Sequence, residues 1–149
     1  MKLRIYLDTS VFSAYCDDRV PERQSETAQF WERLGEFDAA TSELARQELG
    51  QTPDESRRNN LANLLKRVTV LPITEDMKEL AHRYVRAGVF APAMFNDALH
   101  VAAAVLTRQD ILLSWNYRHL VNRRRRAQIS QTNISLGLPT IDIVAPPEM

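Results

Sequence analysis

The sequence predicts an α/β fold in which a mostly parallel sheet of about five strands lies between two layers of helices. Short β-rich segments recur along the whole chain, and stretches with helical spacing separate them. Strands that alternate with helices form parallel sheets, and right-handed crossovers place the helices on both faces. No repeat, low-complexity segment or linker interrupts the pattern, so residues 1–149 are predicted to form a single domain with a sizeable core.

Five segments are predicted to be strands because each is short and rich in apolar or β-branched residues. The first ends at Asp8, and the fourth is followed directly by Asn116. The second segment is the weakest of the five. The predicted strands are residues 3–8, 38–41, 68–73, 110–115 and 140–146.

Helices are predicted where apolar residues recur at near-helical spacing and where capping residues mark an end. Ser10 and Ser42 are possible N-caps, Pro53 stands at or near the first position of its helix, and Gly88 closes another. Residues 98–106 are apolar nearly all round, which predicts a helix buried on most sides. The predicted helical stretches are residues 10–16, 23–37, 42–50, 53–67, 75–88 and 98–106, with part of 118–138.

The composition is that of an ordinary soluble protein and does not by itself reveal a partner. Basic and acidic residues number 19 each, but 16 of the basic residues are Arg, and Arg123–Arg126 are consecutive. Arg suits bidentate phosphate contacts better than Lys does, although such a run is as often a solvated face. The single cysteine, Cys16, excludes an intramolecular disulfide. No signal peptide and no apolar run of about 20 residues is present, which favours a cytoplasmic protein with no membrane partner.

Four polar residues are predicted to meet at the carboxyl edge of the sheet, where ligands of such folds bind. Asp8 and Asn116 follow the first and fourth strands, Glu48 shares a helix face with inward residues, and Asp97 begins the buried helix. Three converging carboxylates without bases nearby would repel one another, and a bound divalent cation removes that conflict. Hard oxygen ligands suit Mg²⁺ or Mn²⁺. The pattern therefore predicts a magnesium or manganese site formed by Asp8, Glu48 and Asp97.

Each of these residues also has a purely structural interpretation. Asp97 alone is more often an N-cap, Asp8 could close a turn, and Glu48 could be an exposed helix residue. The three histidines, His82, His100 and His119, are interpreted as packed or surface residues rather than an acid–base pair. Only the joint placement of the carboxylates supports a catalytic site.

Several segments resemble the PIN-domain nucleases and, within them, the VapC-type toxins of bacterial toxin–antitoxin pairs. They are IYLDTSVFSAY, TSELARQEL, NDALHVAAAV and ILLSWNYRHLVN, which together extend over most of the chain. The resemblance implies a PIN-like three-layer α/β/α sandwich with Asp8, Glu48 and Asp97 as the acidic triad. Many members carry a further Asp where this chain has Asn116, which adds no charge to hold a second ion. The resemblance also implies an RNA substrate, a protein antitoxin and a homodimer.

On this interpretation the metal activates a water that attacks a phosphodiester bond of RNA. Thr9 and Ser10 could orient that water or a phosphate, or could be helix caps, and Arg118, Arg123 and Arg124 are predicted to contact flanking phosphates. A haloacid-dehalogenase phosphatase is excluded, because Ser10 stands where that class needs a second Asp.

Two further expectations concern partners. The alternative function is a non-catalytic RNA-binding or interaction protein on the same scaffold. An antitoxin tail is expected to fold into an apolar groove, with Phe12, Tyr15 and Trp31 as candidate lining residues, although each is also a candidate core residue.

Overall fold

The computed structural model describes all 149 residues and contains five strands and seven α-helices. The strands are β1 (Arg4–Leu7), β2 (Asp38–Ser42), β3 (Thr69–Leu71), β4 (Ile111–Leu113) and β5 (Asp142–Val144). The helices are α1 (Thr9–Ser13), α2 (Pro21–Glu32), α3 (Glu43–Gly50), α4 (Glu55–Leu65), α5 (Glu75–Arg86), α6 (Phe95–Leu106) and α7 (Arg123–Ser135). None of these helices has both the length and the apolar composition that crossing a bilayer requires.

All five strands form one parallel sheet with the order β3-β2-β1-β4-β5, which confirms the predicted α/β sandwich. The chain builds outward from β1 through β2 to β3, then returns to place β4 on the other side of β1. Connections on the two sides of β1 therefore leave the sheet in opposite directions. The carboxyl ends of β1 and β4 flank this switch point, where a crevice forms in open α/β sheets.

Alternating side chains of the strands enter two hydrophobic cores, one on each face of the sheet. Ile5 and Leu7 of β1 face a core that contains Phe12, Trp31 and residues of α4. Tyr6 and Leu112 face the other core, to which α5, α6 and α7 contribute. Within α6, every residue from Ala98 to Val105 is buried, as the sequence predicted for a helix enclosed on most sides.

Three predicted helix starts are wrong by one to three residues. Asp8, not Ser10, is the N-cap of α1, and its carboxylate accepts from the backbone N–H of Ser10. Pro53 lies before α4 and is not its first residue. The N-cap is Asp54, whose carboxylate accepts from the backbone N–H of Arg57. Helix α6 begins at Phe95, two residues before Asp97, so the N-cap interpretation of Asp97 is also wrong.

Candidate active site at the switch point of the sheet

Asp8 occupies the centre of the switch point and is held by residues from both flanking strands. Its side chain is buried, with only 5% of the residue exposed. The hydroxyl of Ser10 donates to Oδ1, and the hydroxyl of Ser114, just after β4, donates to Oδ2. Ser10 also accepts from the backbone N–H of Trp115 (2.8 Å), so the ends of β1 and β4 are tied together through the Asp8 carboxylate.

The buried Asp8 carboxylate has no Lys or Arg partner. Burial raises the pKa of Asp8 above its ordinary value, and the nearby His100 and the two serine hydroxyls offset only part of that effect. Hydroxyl groups stabilise an ionised carboxylate but do not neutralise it. An uncompensated carboxylate at this position is therefore a feature that a bound cation would stabilise.

Glu48, on α3, is held by a buried chain of polar side chains. Its Oε1 accepts from the hydroxyl of Thr9 (2.6 Å) and from Nε2 of His100 (2.7 Å). On the other side of the ring, Nδ1 of His100 is 2.7 Å from the Tyr6 hydroxyl, which is 2.7 Å from Oγ of Ser42. Burial by itself raises the pKa of Glu48, but the hydrogen bonds and charge of His100, with Thr9, outweigh it and leave the pKa below the ordinary value.

An ionised Glu48 fixes the direction of this hydrogen-bond chain. Because the carboxylate can only accept, Nε2 of His100 must carry the proton that it shares with Oε1. Whenever the imidazole is neutral, Nδ1 accepts from the Tyr6 hydroxyl, and Tyr6 in turn accepts from Ser42. Every member of the chain is thereby satisfied in the protein interior, where an unpaired polar group would be costly.

Asp97 lies in the first turn of α6 and contacts the loop after β4. Its Oδ2 is 2.9 Å from Nδ1 of His119, and the backbone N–H of His119 donates to Oδ1 of Asn116 (2.9 Å). Asn116 in turn donates its backbone N–H to Oγ of Ser114 (2.9 Å), the residue that bonds Asp8. The side-chain oxygen of Asn116 therefore stabilises the loop after β4 through a hydrogen bond within that loop.

Together these contacts link the three predicted carboxylates at the carboxyl edge of the sheet. Thr9 joins α1 to Glu48, and the loop from Ser114 to His119 joins Asp8 to Asp97. As the side chains stand, no group of three acidic, histidine or cysteine residues forms a closed metal cage. Glu48 and Asp97 are instead each turned onto a histidine.

The predicted phosphate-binding residues divide into two groups. Arg118, Arg123 and Arg124 are exposed, and their guanidinium groups contact no other residue through hydrogen bonds or ion pairs. Arg125 and Arg126, by contrast, donate to the backbone carbonyls of Val89 (2.6 Å) and Ile143 (3.0 Å) and attach α7 to the rest of the fold. The hydroxyls of Thr9 and Ser10 are occupied by Glu48 and Asp8, so both residues position carboxylates in the structure.

Sequence reasoning missed three polar residues of the site. His100 and His119 were interpreted as packed or surface histidines, but each bonds one of the carboxylates. The missed signal was spacing, since His100 lies one helical turn after Asp97 and so shares its face of α6. Ser114 was not singled out, although a small polar residue at the end of a buried strand often bonds a neighbouring strand end. His82 is exposed and stacks on Phe95, as a surface histidine would.

The sequence model of the PIN domain matches residues 5–123, which is well over half of the chain and contains all four residues of the predicted constellation. The chain therefore belongs to the PIN-domain family. No curated protein sequence matches the chain significantly.

Solved structures of toxin–antitoxin proteins have the same fold. DNA-bound VapBC from Salmonella typhimurium has a TM-score of 0.62 at 16% identity, over 97% of this chain and 98% of that one. VapC20 of Mycobacterium tuberculosis, described as a Sarcin-Ricin loop cleaving toxin, has a TM-score of 0.61 at 18% identity, over 77% and 92%. VapBC2 from Rickettsia felis, bound to a promoter DNA fragment, has a TM-score of 0.59 at 12% identity, over 96% and 98%. At these identities the likeness is one of fold.

Proposed function

We propose that this protein is a metal-dependent endoribonuclease and the toxin of a bacterial toxin–antitoxin pair. The observation that carries the proposal is the buried Asp8 carboxylate, which lies at the switch point without a Lys or Arg partner and is linked to Glu48 through Thr9 and to Asp97 through the loop after β4. Membership of the PIN-domain family and the fold shared with VapC proteins support this activity over other uses of such a crevice.

The donor set fits Mg²⁺ or Mn²⁺. The side chains around the crevice offer carboxylate oxygens, the ligands that these hard cations prefer, and no thiolate competes for a softer metal. Asp8, Glu48 and Asp97 would hold the ion, partly through coordinated waters. When bound, the metal would lower the pKa of a coordinated water and neutralise charge on the phosphate.

The residues of the chain have distinct roles in this proposal. Ser10 and Ser114 hold the Asp8 carboxylate in one orientation, while Thr9 and His100 do the same for Glu48. Asn116 shapes the loop that carries His119 toward Asp97. The exposed Arg118, with Arg123 and Arg124, would attract the phosphates that flank the cleaved bond.

The nuclease is tested with purified protein and a structured RNA in Mn²⁺ or in EDTA. We expect cleavage fragments only with the metal and only from the intact protein, because Asp97→Asn removes one of the three charges that would hold it. Binding of RNA without any metal-dependent cleavage would contradict the proposal and would favour the alternative, a non-catalytic RNA-binding protein on the PIN scaffold.

A cytoplasmic ribonuclease must be restrained, and several of the structural neighbours were solved as complexes with antitoxins. The structure offers a cleft of about 570 Å³ between α2, α4 and the segment that follows α1, lined by the half-exposed Tyr15. Phe12 and Trp31, which the sequence offered as further groove residues, are core residues with at most 1% of their surface exposed. We propose that a tail of the antitoxin folds into this cleft and covers the acidic crevice.

Co-expression tests the toxin role. We expect expression of this protein alone to arrest growth, and expression with the small gene adjacent to its own to restore growth and yield a complex that copurifies. The Asp97→Asn variant is the control, since it should bind the same partner without arresting growth. A folded protein that cleaves RNA in vitro but never arrests growth would contradict the toxin role alone. The mass of the purified protein in solution tests the homodimer.

A further inference from the structure

A second cleft adjoins the candidate active site on the side of α2. It has a volume of about 300 Å³ and is lined by residues of α2 and of the loop after β4. Trp115 is one of its lining residues; its backbone N–H donates to Ser10 and its indole N–H donates to Thr27 (2.8 Å). Because Ser10 also bonds Asp8, one residue separates this cleft from the centre of the site. We call it the Tyr117 cleft.

Tyr117 gives this cleft an exposed aromatic wall. The residue follows Asn116 directly, and 48% of its surface is exposed although the phenol ring is large and apolar. Its ring meets Trp115 edge-on, with centroids 6.3 Å apart, and its hydroxyl has no partner in the protein. An exposed tyrosine ring beside a strongly polar crevice is a stacking surface for an unpaired base.

The side of the cleft formed by α2 carries polar groups that are unusual for an RNA-binding surface. Glu22 and Glu26 lie one turn apart on α2 and form no ion pair, and Arg23 covers the Trp115 ring at 5.0 Å. Carboxylates repel phosphates, so these two residues weaken a purely electrostatic RNA contact. They stabilise a ligand that presents N–H donors, as the edge of a base does.

Guanine matches this combination best among the four bases. Its Watson–Crick edge carries two adjacent donors, N1–H and the N2 amino group, which suit a carboxylate. Its other edge carries the acceptors O6 and N7, which suit an arginine. Uracil lacks an amino group, and adenine and cytosine lack the paired donors. We propose that the Tyr117 cleft binds an unpaired guanine base next to the cleaved phosphate, which deepens the proposed nuclease function and rests on it for the RNA substrate.

Binding of short fluorescent oligouridylates in EDTA tests the cleft without requiring cleavage. The probes carry at their centre uridine, adenosine, guanosine or inosine, which lacks only the N2 amino group of guanosine. We expect the guanosine probe to bind about tenfold more tightly than the other three, as one well-formed base contact provides. The proposal is overturned if no probe binds or if all bind alike.

Variants assign the preference to the named side chains. Tyr117→Ala should weaken binding of the guanosine probe roughly tenfold through lost stacking. The Glu22→Gln/Glu26→Gln variant should abolish the preference for guanosine over inosine. Glu32→Gln, an exposed residue at the far end of α2, and Ile134→Ala, an exposed apolar residue of α7, should leave both properties unchanged. Retained preference in the double variant would overturn the role of the carboxylates.

Mapping of cut sites on a random RNA pool separates this proposal from the nuclease itself. We expect guanosine to be enriched at one position beside the cut, and the enrichment to vanish in Tyr117→Ala. Cleavage without enrichment would overturn the guanine subsite and leave the nuclease intact. Guanosine-selective binding without cleavage would leave the subsite and overturn the nuclease.

Discussion

Replacement of Asp8 by Asn is expected to lower Mn²⁺-supported RNA cleavage by a factor on the order of 10³. The change keeps the size of the side chain but removes the buried charge at the switch point, on which the proposed metal site depends. Combining Asp8→Asn with Asp97→Asn should cost little more than either change alone, because residues that act as one unit are strongly non-additive. Cleavage rates with saturating metal measure both effects.

Asp38→Asn is the matched control for Asp8→Asn. Asp38 is exposed at the amino end of β2, on the opposite edge of the sheet, and its carboxylate has no hydrogen-bond partner. Its replacement should leave cleavage unchanged. Full activity in Asp8→Asn would contradict the assignment of the site, and an equal loss in Asp38→Asn would show that the assay responds to net charge rather than to the crevice.

The Asp8→Asn variant also distinguishes the effect of the Asp8 charge on catalysis from its effect on the stability of the fold. Burial raises the pKa of Asp8 in the folded state, so its charged form opposes folding, and stability falls as the pH rises from the unfolded pKa toward the folded one. Above the folded pKa that penalty is fully present in the wild type, and it is absent in Asp8→Asn at any pH. In EDTA we expect the variant to be more stable by roughly 1 kcal/mol. Mn²⁺ should raise the melting temperature of the wild type alone.

The architecture of the protein was predictable because strands and helices follow sequence patterns that depend mainly on whether each residue is apolar, polar or a turn former. Each predicted strand, including the weak segment at 38–41, is a strand of the sheet, and the apolar run at 98–106 is buried in α6. Because predicted strands and helices alternate along the chain, a parallel sheet was the favoured arrangement. From that sheet the meeting of Asp8 and Asn116 at one edge followed directly, since the carboxyl ends of parallel strands share an edge.

The contacts inside the site were less predictable, because each polar side chain has several possible hydrogen-bond partners and the sequence does not indicate which one it takes. Ser10 was expected to cap a helix, but its hydroxyl binds Asp8 and Trp115 instead. The link from Tyr6 to His100 joins a strand residue to a helix residue 94 positions later. No local pattern distinguishes a histidine in such a chain from one that merely fills the core.

His100 is the missed residue with the largest expected effect on the proposed activity. It is 3% exposed and bonds Glu48 through one ring nitrogen and Tyr6 through the other, so it fixes the orientation of the carboxylate. Partners that orient metal ligands contribute about 10–100-fold to metal affinity or activity. We expect His100→Ala to raise the Mn²⁺ concentration for half-maximal cleavage about tenfold and to lower the melting temperature, since it also removes one of the two hydrogen-bond partners of the buried Tyr6 hydroxyl.

A second variant distinguishes positioning of Glu48 from general support of the fold. His100→Gln can still donate to Glu48 but cannot reach Tyr6 at the same time, so it should destabilise the protein while keeping most of the metal affinity. His82→Ala, which removes an exposed histidine stacked on Phe95, should change neither property. If His100→Ala and His100→Gln required the same Mn²⁺ concentration, the role of His100 would be structural. A difference between them would show that the hydrogen bond to Glu48 itself prepares the site for metal.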